Sequence, residues 1–297
     1  VLQPRGWECL VVVDRKVEER EAHLLEKAAE QFHEYLPKRL RRHKREGHIH
    51  DLSEHNNFSD PTIRTLYFQQ GSYVGDGTAS KAITGLGFTP KMVLVKANDA
   101  TANQSIAAWR TDVMPTTLAV TNGTNALDGI LSFDTGGFTV KRESSPTSGR
   151  TNESGLTYYW YAFGGEAVKT GSYIGTGGVY SVVGVGFQPV MVWIQTNSDN
   201  LVHRTSAMGA EDYSFTADTG DTTRTQTLDA DGFTVGASTD TNLLGATNYY
   251  AAFVSSDNLH IGTYTGDGTD NRTLPTQAMA FTPALVHIKA NAGHTPK

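Results

Sequence analysis

Two histidines one residue apart, His48 and His50 in "GHIHDLSEH", form the clearest metal-ligand pattern in the chain. On an extended strand they fall on one side. One chain then offers two imidazoles, too few for a closed site. Three chains around an axis would offer six, so the pattern is read as a possible metal ion at a His-x-His on an oligomer axis, against the plain alternative of a polar linker. A second chemistry is aromatic. Trp109, Trp160 and Trp193 could stack on a sugar or pack between modules or subunits, and Trp160 sits in the ring-rich run "LTYYWYAF". A third is electrostatic. Lys38, Arg39, Arg41, Arg42, Lys44 and Arg45 crowd together with no acid among them, as a surface for an acidic partner would. Residues 1–70 nevertheless hold 12 basic and 12 acidic side chains, and the whole chain carries −6, so nucleic acid is not the expected partner.

Acid–base or nucleophilic chemistry has no comparable support. There is no Gly-x-Ser-x-Gly, His-Glu-x-x-His or phosphate-loop pattern in the 297 residues. Glu143, Glu153, Glu166 and Glu211 are the only glutamates from residue 71 onward, and they do not recur between repeats. The expectation is a protein that performs no catalysis and needs no cofactor. Cys9 is the only cysteine, so no disulfide can form within the chain. No apolar run approaches the ~18 residues of a membrane-spanning helix.

The elements that must position these residues repeat. "GSYVGDGT" at Gly71 returns as "GSYIGTGG" at Gly171 and "GTYTGDGT" at Gly262. "FTPKMVLVKA" at 88–97 returns as "FQPVMVWIQT" at 187–196 and "FTPALVHIKA" at 281–290. "GGFTV" at 136–140 matches "DGFTV" at 231–235, and "LTYYWYAF" at 156–163 matches "ATNYYAAF" at 246–253. Such self-similarity in fixed order predicts tandem modules. The runs are short, rich in Val, Thr, Tyr and Phe, and separated by Gly, Asn and Asp, as in β-sandwiches and small barrels. The expected fold class is mainly β: tandem β-sandwich-like modules preceded by a short α-helical N-terminal segment. The expected domains are an N-terminal attachment segment (1–70), a first module (71–170), a second (171–261) and an incomplete third (262–297).

Comparing the copies assigns faces. After Phe-x-Pro, one side of the strand carries Val93 and Val95, then Val192 and Ile194, then Val286 and Ile288. That side suits a buried sheet face. The alternate position holds Leu94, Trp193 and His287, a variation that points to solvent, a neighbouring module or another chain. Trp160 has a ring as its counterpart, Tyr250, which favours packing against the second sheet or a neighbouring subunit.

Taken as a set, these landmarks resemble the β-rich modules of virion proteins from tailed bacteriophages: tail fibres, tail-tip proteins and related appendages. The resemblance covers residues 71–297 and carries no catalytic residues. It implies a structural protein of a virus particle, whose partners are other virion proteins and copies of itself. A trimer is the favoured assembly, located in the virion. The alternative is an adhesin that binds a host-surface glycan through surface aromatics.

Residues 17–36 carry Leu25, Ala28, Ala29, Phe32 and Leu36 on one stripe, as an amphipathic helix does. It is too short for a self-standing coiled coil and is expected to dock, with the basic run, onto the particle. The third unit, 262–297, has no counterpart of "DGFTV" or "TNYYAAF". A sandwich lacking those strands would expose Val286 and Ile288. The favoured expectation is a longer polypeptide; the other is strands donated by a neighbouring chain.

Overall fold

The computed structural model describes residues 64–98, 107–120, 126–127, 129–142, 151–215, 220–268, 271 and 281–289. The helix expected over 17–36, the basic residues Lys38, Arg39, Arg41, Arg42, Lys44 and Arg45, and His48 and His50 lie outside them. Chain contacts separate Val1–Asp60 from Pro61–Lys297, and the described residues all belong to the second unit.

The unit is mainly β and antiparallel throughout. The first module contains β1 (Leu66–Val74), β2 (Lys81–Thr84), β3 (Met92–Ala97), β4 (Ala108–Thr111), β5 (Thr117–Ala119), β6 (Ala126–Leu127), β7 (Ile130–Asp134), β8 (Gly137–Val140) and β9 (Thr157–Gly165). The second contains β10 (Val168–Ile174), β11 (Tyr180–Val183), β12 (Met191–Thr196), β13 (Val202–Thr205), β14 (Tyr213–Ser214), β15 (Thr225–Asp229), β16 (Gly232–Val235), the one-turn helix α1 (Thr239–Asn242) and β17 (Thr247–Phe253).

Each module is a large sheet over a small one. The large sheets run β1-β9-β3-β4-β5-β6 and β10-β17-β12-β13-β14; the small ones run β2-β8-β7 and β11-β16-β15. Apart from β6, the two modules match strand for strand. β1 starts at Leu66 and β10 at Val168, so both modules begin a few residues before the Gly-x-Tyr-x-Gly landmark. The cause is pairing: β1 zips against all of β9, from Leu66↔Gly165 to Val74↔Thr157.

Strand alternation divides each large sheet into two faces. Val93, Val95, Tyr158, Trp160 and Ala162 pack on Ile83, Phe138 and Val140 of the small sheet. Val192, Ile194, Tyr250 and Ala252 pack likewise on Val182, Phe233 and Val235. The opposite faces of the two large sheets share one cluster, in which Met92, Trp109, Leu118 and Phe163 meet Trp193, Leu201 and Phe253. Leu94 lies partly buried against that cluster.

The ring at Trp160 lies directly over Gly71, its cross-strand partner. A Cβ on Gly71 would sit 2.6 Å from the indole Cζ2. Gly171 has the same relation to its own partner, Tyr250. Neither glycine has a positive φ, so the motif needs glycine there for ring clearance. Gly71→Ala is expected to destabilise by about 1–3 kcal/mol through overpacking, read by thermal unfolding. The effect should largely vanish when Trp160→Ala has already removed the ring.

Candidate functional site: the shared face between the modules

The chain passes from β9 to β10 through Glu166 and Ala167, with Gly165 at φ +82°. So short a link leaves the joint to be fixed by side chains. Trp109, on β4, is fully buried, and its indole N–H donates to the Gln195 side-chain oxygen on β12. The Gln195 amide donates onward to the Ala119 carbonyl at 2.7 Å and the Asp199 carbonyl at 2.7 Å. The Leu201 N–H donates to the Val120 carbonyl at 3.0 Å. Thr170 donates its hydroxyl proton to Asp112. Phe163 meets Phe253 at 5.6 Å and Trp193 at 6.4 Å between ring centroids. Lys91 donates to the Gly165 carbonyl at 2.8 Å and the Val168 carbonyl at 3.0 Å, clasping the link; burial holds its ammonium below the usual range. The joint thus combines an apolar centre with satisfied buried amides, which makes it specific in register.

The three tryptophans read as inter-module or ligand aromatics fall in two places. Trp109 and Trp193, 0% and 4% exposed, lie in the shared cluster. Trp160, 5% exposed, does not. It belongs to the first module's own core, edge-on to Phe138 at 5.5 Å, because it shares a strand face with Tyr158 and Ala162. No bound sugar could stack on any of the three.

The opening landmark and a second repeated segment, Thr-Asn-x-x-Gly at 151–155 and 241–245, lock each other. Tyr73 donates its phenolic proton to the Thr151 carbonyl, and Tyr173 does so to the Thr241 carbonyl. Asn152, fully buried, accepts from the Asp76 N–H at 3.1 Å and donates to the Thr78 carbonyl at 3.0 Å. Asn242, equally buried, accepts from the Thr176 N–H at 2.7 Å and donates to the carbonyls of Gly236, at 2.8 Å, and Gly178. Burial pushes both tyrosine hydroxyls far above their usual range, with a neighbouring tyrosine adding to it in each case.

One repeated feature escaped the sequence reading. "RTDVM" at 110–114 recurs as "RTSAM" at 204–208. Arg110 donates to the Ile130 carbonyl at 2.5 Å and the Met114 carbonyl at 3.1 Å. Arg204 donates to the Thr225 carbonyl at 3.1 Å and the Gly209 carbonyl at 2.7 Å. The backbone N–H of Thr111 points at the Met114 sulfur, and that of Thr205 at the Met208 sulfur. Each arginine therefore ties the large sheet to the first residue of β7 or β15 through carbonyls of its own module.

The second module also carries charges where the first has none. The Ile130 N–H donates to the Thr117 hydroxyl at 2.7 Å; at the matching place the Thr225 N–H donates to the Asp212 carboxylate at 2.7 Å. Arg224 reaches Asp212 at 3.7 Å, Asp221 at 3.7 Å and Asp240 at 2.5 Å. Burial pushes the Asp212 carboxyl up from 3.8 to about 7, outweighing the Thr225 hydrogen bond and the Arg224 charge. The folded state therefore holds this proton more tightly than the unfolded chain. Stability from this group is full below about pH 4 and falls as pH rises through about 7, by up to ~4 kcal/mol. Asp212→Thr, which installs the first module's residue, is expected to flatten the change in melting temperature between pH 5 and pH 8.

Among the described residues no cluster of three His, Cys, Asp or Glu side chains has the spacing of a metal site, and no helix is long and apolar enough to cross a membrane. Residues 64–170 match a domain family described as a domain of unknown function, DUF7483. The match begins two residues before β1 and ends within β10, so it frames the first module. No curated protein and no solved structure matches the chain.

Proposed function

We propose that this chain is a non-enzymatic structural protein of a bacteriophage particle, a tail fibre, collar or head appendage. The N-terminal segment attaches it to other virion proteins, and the β-modules project. The observation that carries this reading is where the repeated polar residues go. Tyr73 and Tyr173, Asn152 and Asn242, and Arg110 and Arg204 bind backbone of their own module; the unrepeated pair Trp109 and Gln195 joins one module to the next. What the sequence keeps between copies serves architecture. Together with the resemblance to phage appendage modules, this favours a building block over a catalyst.

Recognition of a host glycan through Trp109, Trp160 or Trp193 finds no support, since all three rings are buried. The test is location. Particles purified through a density gradient are expected to carry the chain in fixed stoichiometry by mass spectrometry, and gold-labelled antibody should mark one defined site on them. A chain found only in the soluble fraction, with none in purified particles, would sink the proposal.

A further inference from the structure

Residues 281–289 repeat the seating seen at the joint between the first two modules. Aligned on Phe-x-Pro, Leu285 corresponds to Met92 and Met191, and Val286 to Val93 and Val192. His287 corresponds to Leu94 and Trp193, and Ile288 to Val95 and Ile194. In the step from the first module to the second, Trp109 on β4 donates to Gln195 on the strand that carries Trp193, and Val120, just after β5, lies in the same cluster as Trp193 and accepts from the Leu201 N–H. In the second module the matching residues are His203, which pairs with Trp193 as Trp109 pairs with Leu94, and Phe215, just after β14. These two receive His287, with ring centroids 4.8 Å apart in each case. Leu285 packs on the shared cluster beside them. The second module therefore seats this segment with the same positions that the first module uses to seat the second.

The other side of the segment is open. Val286 and Ile288 are 65% and 59% exposed, where Val93, Val95, Val192 and Ile194 are at most 1% exposed. Tyr264, the counterpart of the buried Tyr73 and Tyr173, is 44% exposed. Among the described residues no strand pairs with 284–289, whereas β3 and β12 are each flanked on both edges.

We propose that residues 281–289 are the docking strand of a third module, and that the uncovered face takes β-strands of the module's own type. A Gly-Phe-Thr-Val strand would set its Phe and Val over Val286 and Ile288. Phe138 and Val140 do this over Val93 and Val95, and Phe233 and Val235 over Val192 and Ile194. The completed module would stand to the second as the second stands to the first. The inference rests on the repeat alone and does not depend on a place in a virus particle.

The test supplies the strands. Val286→Cys, in a Cys9→Ser background, is compared in the 297-residue chain and in the same chain with a second copy of residues 196–254 continued directly after Lys289. Maleimide labelling is expected to be fast in the first and slower by at least about tenfold in the second, since reaction would then require local opening. Placing Asp at the appended counterpart of Phe233 should restore fast labelling. Equal rates in both chains would overturn the proposal. So would slow labelling of the unextended chain with a dimer mass by light scattering, which would assign the face to a second copy. Should the extended chain fail to fold, Phe215→Ala in the unextended chain tests the seat: limited proteolysis within 281–289 should accelerate while the two modules stay intact. Unchanged cleavage would overturn the seat.

Discussion

Trp109→Ala is expected to lower stability by about 3–5 kcal/mol, the range for deleting a fully buried tryptophan. The ring fills the shared cluster, and its N–H satisfies Gln195, itself fully buried. Removing it opens a cavity and strips Gln195 of a donor together. The consequence specific to a joint is loss of coupling. Urea unfolding, expected as one cooperative transition in the parent, should separate into two, and protease should cut at Glu166–Ala167 before either module unfolds. Trp160→Ala removes the same volume from the core of one module and should leave that link protected. A penalty for Trp109→Ala below about 1 kcal/mol, or identical cleavage in the two variants, would refute the role given to the joint.

Asn242→Ala should be comparably severe, about 3–5 kcal/mol, because it orphans several backbone groups at once, each worth about 1–3 kcal/mol when buried. The Thr176 N–H and the carbonyls of Gly178 and Gly236 all lose their partner. Damage should stay local: amide exchange should accelerate across β10, β11, β16 and β17, while β1 and β9 keep their protection. Asn152→Ala should mirror this in the first module. Uniform acceleration across both modules would mean that the lock acts through the joint instead.

Much of this architecture was legible in the sequence. The landmarks recur in order because each has a fixed place in a fold built twice, and the Val93/Val95 face could be told from the Leu94 face because only one of them varies in chemistry. Trp160 was harder. Its persistence as a ring at Tyr250 is equally what a joint or a core would require; the deciding cue was its glycine partner at 71, which strand register alone reveals. The Arg-Thr-x-x-Met repeat was visible but sits at an offset of 94, unlike the 100 of the opening landmark, because loop lengths between them differ. Asp212 and Arg224 carried no readable signal. Their proximity comes from a bridge between Asp212 and Asp221 and from the one-turn helix presenting Asp240, and neither is a periodic feature.

The register of the first and last strands sets how a module meets mechanical load. Leu66 faces Gly165 across one rung, and Val168 faces Phe253 across another. Traction applied to the chain on either side of a module therefore pulls on two neighbouring points. The ladder between them opens one rung at a time, like a zip, with no need to shear many hydrogen bonds at once. Such a module resists tension weakly by itself. Its strength under pull must come from the neighbour clamped across its broad face, so two joined modules bear force together and yield as single beads once that clamp is released.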